Sequence, residues 1–190
     1  MADAGADEQD FSAYFAARYD RVRRVACLLS GDWYRADDLA QSAFVRLARS
    51  WHSVRTKTTL DAYVRTCLFR EAVDESRRPW RRERTVTVVP ERSSAAGVDE
   101  DVTERVTVAA ALQRVPPRQR AVLVCRFYED LDVAATAELL GCSPGTVKSQ
   151  TARALDTLRS ALADAEPTLA EKPRPEREAH PEQHQVRTER

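Results

Sequence analysis

Apolar residues recur at three- and four-residue steps in three successive stretches at the start of the chain. Phe11, Tyr14, Phe15, Val22, Val25, Ala26 and Leu29 make the first. This spacing keeps side chains on one face of an α-helix. Ser30-Gly31-Asp32 has the turn chemistry to stop that helix. The second stretch runs through Leu39, Ala40, Ala43, Phe44, Leu47 and Ala48 to about Trp51, and it places Asp37 and Asp38 in a first turn, where carboxylates suit the helix dipole. The third runs through Leu60, Tyr63, Val64, Cys67, Leu68, Ala72 and Val73, predicting a helix over Thr59 to Arg78. Strand-type alternation is nearly absent. Its one instance, Thr85 to Val89, is ended by Pro90.

From Pro79 to Asp101 the helical period is lost among Pro79, Pro90, Gly97, a Ser pair and a run of arginines. So long a structureless stretch is uncommon inside one compact domain, so residues 79–101 read as a linker between two. Helical spacing resumes near Val102. Leu112 and Val115 lead to Pro116-Pro117, which must end one helix or start the next. Helical stretches follow over Arg118 to Tyr128, Val133 to Leu140 and Thr146 to Leu162, with Gly141 as a break. After Ala165 four prolines alternate with Glu, Arg, Gln and His, a composition that cannot bury enough surface to order itself. The predicted fold is all-α: two small helical domains over residues 10–78 and 102–163, a flexible linker, and disordered ends over 1–9 and 164–190.

Composition narrows the class. The 190 residues carry 30 basic and 30 acidic side chains, but the charge is segregated, with an acidic start and a basic middle at Arg77, Arg78, Arg81, Arg82 and Arg84. Such a distribution bears on nucleic-acid binding more than its sum does. No apolar run approaches the roughly 20 residues of a membrane span. The acidic N-terminus lacks a secretory pattern, so a cytoplasmic location is expected. Cys27, Cys67, Cys125 and Cys142 form no C-x-x-C pair, and His52, His180 and His184 have no metal-ligand spacing. Small buried thiols in a reducing compartment are expected, with a redox switch as the other reading. There is no Gly-rich phosphate loop and no G-x-S-x-G elbow. No catalytic residue, metal or cofactor is therefore expected.

One segment carries specific chemistry. Asp132 to Leu158, DVAATAELLGCSPGTVKSQTARALDTL, has the pattern of a helix-turn-helix. Val133, Ala137 and Leu140 point inward on a short helix that Gly141 ends, because glycine takes a left-handed C-cap most easily. Ser143 suits the next N-cap and Pro144 its first turn. Val147, Thr151, Ala154, Leu155 and Leu158 line the buried side of the second helix. Lys148, Ser149, Ala152 and Arg153 line the other side. Lys and Arg bind phosphates or guanine edges, Ser bonds to either, and Ala lets the helix approach thymine methyls. This is the arrangement of a recognition helix in the major groove. An ordinary helical hairpin with a charged face has the same pattern.

Two separated blocks resemble the bacterial extracytoplasmic-function sigma factors, close to the actinobacterial sigma-E-like group. Arg35-Ala-Asp-Asp-Leu-Ala-Gln-Ser-Ala-Phe-Val-Arg-Leu47 is similar to the family's region-two helix. Val115-Pro-Pro-Arg-Gln-Arg120, Phe127-Tyr-Glu-Asp-Leu131 and Gly145-Thr-Val-Lys-Ser149 are similar to its region four. The blocks stand in the family's order over about residues 10–163. The resemblance implies a protein without catalysis of its own that binds core RNA polymerase, through its clamp helices and flap, and promoter DNA. It implies core-binding positions at Asp37, Asp38, Leu39, Gln41 and Phe44. Leu39 also reads as hydrophobic core, and Asp37 and Asp38 as helix-start residues. Lys148, Ser149, Ala152 and Arg153 match the minus-thirty-five reader. Arg65, Arg70, Arg77 and Arg78 match the helix that reads and melts the minus-ten element. Tyr63 suits stacking on a base, yet it also falls on the apolar face. Arg70 stands where the family often has Asn, a departure at the minus-ten reader. Arg81, Arg82 and Arg84 fall in the segment that threads the core enzyme in the family, where template DNA or an acidic wall would meet them. Many members also have an anti-sigma partner. The competing class is a helix-turn-helix regulator with an N-terminal sensor or dimerisation domain, which would bind DNA without polymerase.

Overall fold

The computed structural model describes residues 2–54, 57–76 and 99–170, with side chains over 8–54, 60–75 and 107–165. The element order is α1 (Ala2–Ser30), α2 (Trp33–Ser50), a 3-10 turn (Trp51–Ser53), α3 (Lys57–Ser76), α4 (Asp99–Arg114), α5 (Pro117–Leu123), a π-helical turn (Val124–Tyr128), α6 (Val133–Leu140) and α7 (Pro144–Ala170). The described residues are all helix and connections, as the apolar spacing predicts.

Several boundaries differ from that prediction, among them the start of α4, at Asp99 inside the expected linker 79–101. Helix α1 begins at Ala2, although residues 1–9 were expected to be disordered, and α7 runs on to Ala170. Helix α2 begins four residues before Asp37. Asp32 is its N-cap, accepting from the Tyr34 N–H at 2.8 Å, so Asp37 and Asp38 lie in the second turn rather than the first. The expected alternation at Thr85 to Val89 and the linker up to residue 98 lie outside the described residues, as does the tail beyond residue 170.

Helices α1–α3 form the N-terminal block around an aromatic stack. The Phe15 and Phe44 rings meet edge to face with centroids 4.8 Å apart, and Phe11 meets Trp51 at 5.2 Å in the same manner. Edge-to-face pairs match the positive edge of one ring to the negative face of another. Leu39, Ala43, Leu47, Val64 and Leu68 complete this interior. Tyr14 donates to Asp61 at 2.7 Å, and Tyr63 pairs with Ser50 at 2.9 Å, so each half-buried phenol is satisfied.

Helices α4–α7 form the C-terminal block, which packs on the first. Leu112, Val115, Ala121, Leu123, Val124 and Cys125 join Val25, Leu29, Leu68 and Phe69 in one continuous buried cluster. Helix α5 starts where its prolines dictate, with Pro116 as N-cap and Pro117 at N1, where no N–H is needed. Arg120 is buried one turn later. Burial, helped by the charge of Arg35, lowers its pKa to about 10, which leaves it protonated at neutral pH.

Candidate nucleic-acid interface

The helix-turn-helix is built by local capping. Asp132 accepts from the Ala135 N–H at 2.7 Å and starts α6. Gly141 ends it at φ +63°, in the left-handed region. The Cys142 N–H then reaches back to the Ala137 carbonyl at 3.0 Å and the Gly141 N–H to that of Glu138 at 3.3 Å. These two bonds are the Schellman pair that satisfies the last carbonyls of a helix. Two residues on, the Ser143 hydroxyl accepts from the Thr146 N–H at 3.1 Å and starts α7. Between the helices, Val122, Ala137 and Val147 make a small sealed core with Val133, Leu140 and Cys142 around it.

This core decides which side of α7 faces outward. Val147 and Ala154 are fully buried, while Lys148, Ser149, Ala152 and Arg153 are all exposed. The four exposed residues occupy an arc of about 140° at 100° per residue, over a rise of about 7.5 Å. That width matches one helix face laid against a groove about 12 Å wide. The Ser149 hydroxyl already donates to the Thr146 carbonyl at 3.1 Å, so its lone pairs remain as acceptors.

The arginines named on the third helix do not share a face. Arg70 is exposed, whereas Arg65 is half-buried and pairs with Glu129 of the C-terminal block at 3.3 Å. Five residues separate them, about 140° around the helix. Arg77 and Arg78 lie outside the described residues, as do Arg81, Arg82 and Arg84. Tyr63 is tied to Ser50 and serves the packing of α3 on α2.

The residues named on α2 also divide. Asp38 and Gln41 are exposed. Leu39 and Phe44 are 3% and 2% exposed, so they support the helix from within and present no surface to a partner. The reason is helical phase: both fall on the stripe that faces the aromatic stack. Asp37 is half-buried and accepts from Arg23 at 2.5 Å and from Tyr19 at 3.1 Å. Arg23 in turn lies over the Trp33 ring at 4.5 Å. Two further exposed residues lie on the outward side of α2. Tyr34 is 85% exposed and Val45 is 50% exposed. Tyr34, Asp38, Gln41 and Val45 follow one another at steps of four, three and four, so they form a single outward stripe. Helical spacing from Asp38 would have found both.

Burial pushes the Cys125 thiol up to about 12 and the Cys67 thiol up as well. Both stay protonated near neutral pH, which leaves them poor nucleophiles. Among the described residues, no group of three His, Cys, Asp or Glu side chains is placed to hold a metal ion.

Comparisons with known proteins agree with this layout. The family model for sigma-70 region 2 matches residues 14–82, and that for sigma-70 region 4 matches residues 105–158. The chain is 34% identical over 157 residues to the RNA polymerase sigma-E factor of Streptomyces coelicolor, covering 80% of this chain and 86% of that protein. It is 30% identical over 152 residues to the ECF RNA polymerase sigma factor SigM of Mycobacterium tuberculosis, covering 78% and 74%. Among solved structures it is similar to the sigma factor RpoE of Bartonella quintana, crystallised with the anti-sigma factor NepR. The TM-score is 0.65 at 22% identity, over 82% of this chain and 98% of that one, a likeness of fold.

Proposed function

The chain belongs to the sigma-70 family, among its extracytoplasmic-function members, and on that premise we propose how its surfaces divide the work of promoter recognition. It is a non-enzymatic subunit that binds core RNA polymerase and directs it to promoter DNA. Residues 10–78 act as region two and 102–163 as region four, with the chain between them as the connection. On region four, Lys148 and Arg153 take phosphates or guanine edges of the minus-thirty-five element. Ser149 accepts from a base amino group, and Ala152 admits a thymine methyl. On region two, Arg70 with Arg77 and Arg78 holds the minus-ten strand. The clamp of the polymerase meets the stripe of Tyr34, Asp38, Gln41 and Val45, while Leu39 and Phe44 hold that stripe in place. The protein works in the cytoplasm. An anti-sigma factor covering the α2 stripe is the further partner class we assign.

One observation carries this reading: a polar recognition face, Lys148 to Arg153, on a helix whose opposite side is sealed by Val147 and Ala154. Run-off transcription with purified bacterial core polymerase on genomic promoter fragments tests it. Transcripts should require both the core enzyme and this protein. Arg153→Ala should weaken promoter use by about 1–3 kcal/mol, or roughly five- to a hundred-and-fiftyfold. Specific DNA binding by the protein alone, with no transcript when core is added, would instead establish a stand-alone regulator.

A further inference from the structure

The two blocks are joined by polar contacts as well as by apolar packing, and those contacts have a particular form. The last carbonyls of an α-helix have no partner within the helix. At the end of α1 the partners come from the other block. Gln113 of α4 donates to the Leu28 carbonyl at 3.1 Å, and Arg120 of α5 donates to the Leu29 carbonyl at 2.8 Å. The same guanidinium donates to the Gln113 and Val115 carbonyls at 3.0 and 3.1 Å, which fixes it to its own block. A cation at a helix C-terminus also meets the negative end of the dipole. Gly31 makes the approach possible, since a Cβ there would run into the Gln113 carboxamide.

A second contact lies on the other side of the same seam. The Glu129 carboxylate, only 7% exposed, sits between Arg21 of α1 and Arg65 of α3, each at 3.3 Å. These residues line a small cleft of about 100 Å³ together with Arg18, whose charge is already taken by Asp61 at 3.0 Å. A carboxylate held by two arginines occupies the place that a phosphate would take, because the guanidinium fork donates to the oxygens of either.

This packed arrangement cannot be the promoter-bound one. Elements centred near minus thirty-five and minus ten are about 25 base pairs apart, on the order of 85 Å at 3.4 Å per base pair. Domains of this size have radii of gyration of only about 11 Å. Two blocks sharing one buried cluster cannot reach both elements together, so the seam between them must open.

We propose that Glu129 is an internal competitor for nucleic-acid phosphate: it holds Arg21 and Arg65 in the free protein, latches region four onto region two, and releases both arginines to DNA when the seam opens. This rests on the sigma reading above. It adds Arg21 to the DNA-facing residues and gives Arg65 a role that depends on the state of the protein. The Gln113–Arg120 clasp is the second half of the same latch.

The test uses the full-length protein. Small-angle X-ray scattering reports the separation of the blocks, and binding to a labelled promoter fragment reports the freed arginines. Glu129→Gln should raise the radius of gyration and tighten DNA binding about fivefold or more, within the usual range for coupled sites. Adding Arg21→Ala to Glu129→Gln should remove the gain in affinity while the expansion stays. Asp164→Asn removes the same charge from an exposed pair with Arg114 inside the C-terminal block, and should change neither readout. Gln113→Ala unties the other half and should expand the protein even if Glu129→Gln folds poorly. Unchanged dimensions and unchanged affinity in both latch variants overturn the proposal, and so does equal tightening by Asp164→Asn. Run-off transcription with core polymerase separates the two claims. Wild-type activity with no response to the latch variants sinks the latch alone, and expansion without any core-dependent transcript sinks the sigma reading.

Discussion

The two blocks reach stability by different means. The N-terminal block uses bulk: three helices of 29, 18 and 20 residues close over interlocked Phe, Tyr and Trp rings. The helix-turn-helix of the C-terminal block uses punctuation. Its first helix has 8 residues, its own core is Val122, Ala137 and Val147, and three caps set its turns. Short helices of this kind are marginal alone. The recognition face is therefore positioned by backbone geometry and by what lies behind α5, rather than by a large core of its own. Such a build leaves one side of α7 free of structural duty and open to DNA.

Substitutions should expose this contrast, and the largest effect belongs to the aromatic stack. Phe44→Ala removes a ring that touches Tyr14, Phe15 and Tyr19, and should cost about 3–5 kcal/mol in urea unfolding. A loss under about 1 kcal/mol would mean that the stack does not hold region two together. The next effect is at the turn. Gly141→Ala meets open space, so only the left-handed backbone at φ +63° resists it. The expected cost is about 1–2 kcal/mol, seen as a lower thermal midpoint. The smallest is at the cap. Asp132→Ala leaves the Ala135 N–H without its acceptor and should cost about 1 kcal/mol, whereas Asp132→Asn should recover most of it. If the two turn variants cost more than Phe44→Ala, the division between bulk and punctuation is reversed.

The same contrast explains what could be read before the structure. The caps of the helix-turn-helix were legible because donor and acceptor lie within a few residues of each other. Asp132, Gly141 and Ser143 act as their neighbours in the chain imply. The start of α2 was misplaced because two acidic residues, Asp37 and Asp38, outweighed the single Asp32 that caps it. Arg65 and Arg70 looked alike as arginines on one helix, but the difference between them comes from Glu129, 64 residues away from Arg65.

From the sequence alone came everything carried by short-range regularity: an all-helical chain, the phase of each apolar stripe, the turn chemistry around the recognition helix, and the family to which its motifs belong. Only the tertiary structure decided which stripe faces which. It tied Arg65 to Glu129 and left Arg70 outside. It also joined Arg120 to the end of α1 across 91 residues and closed Glu129 onto Arg21 across 108. The physical reason is that a cap or a helical face is set by neighbours a few positions apart. A contact between blocks depends on where the whole chain has brought two surfaces, and no local pattern records that.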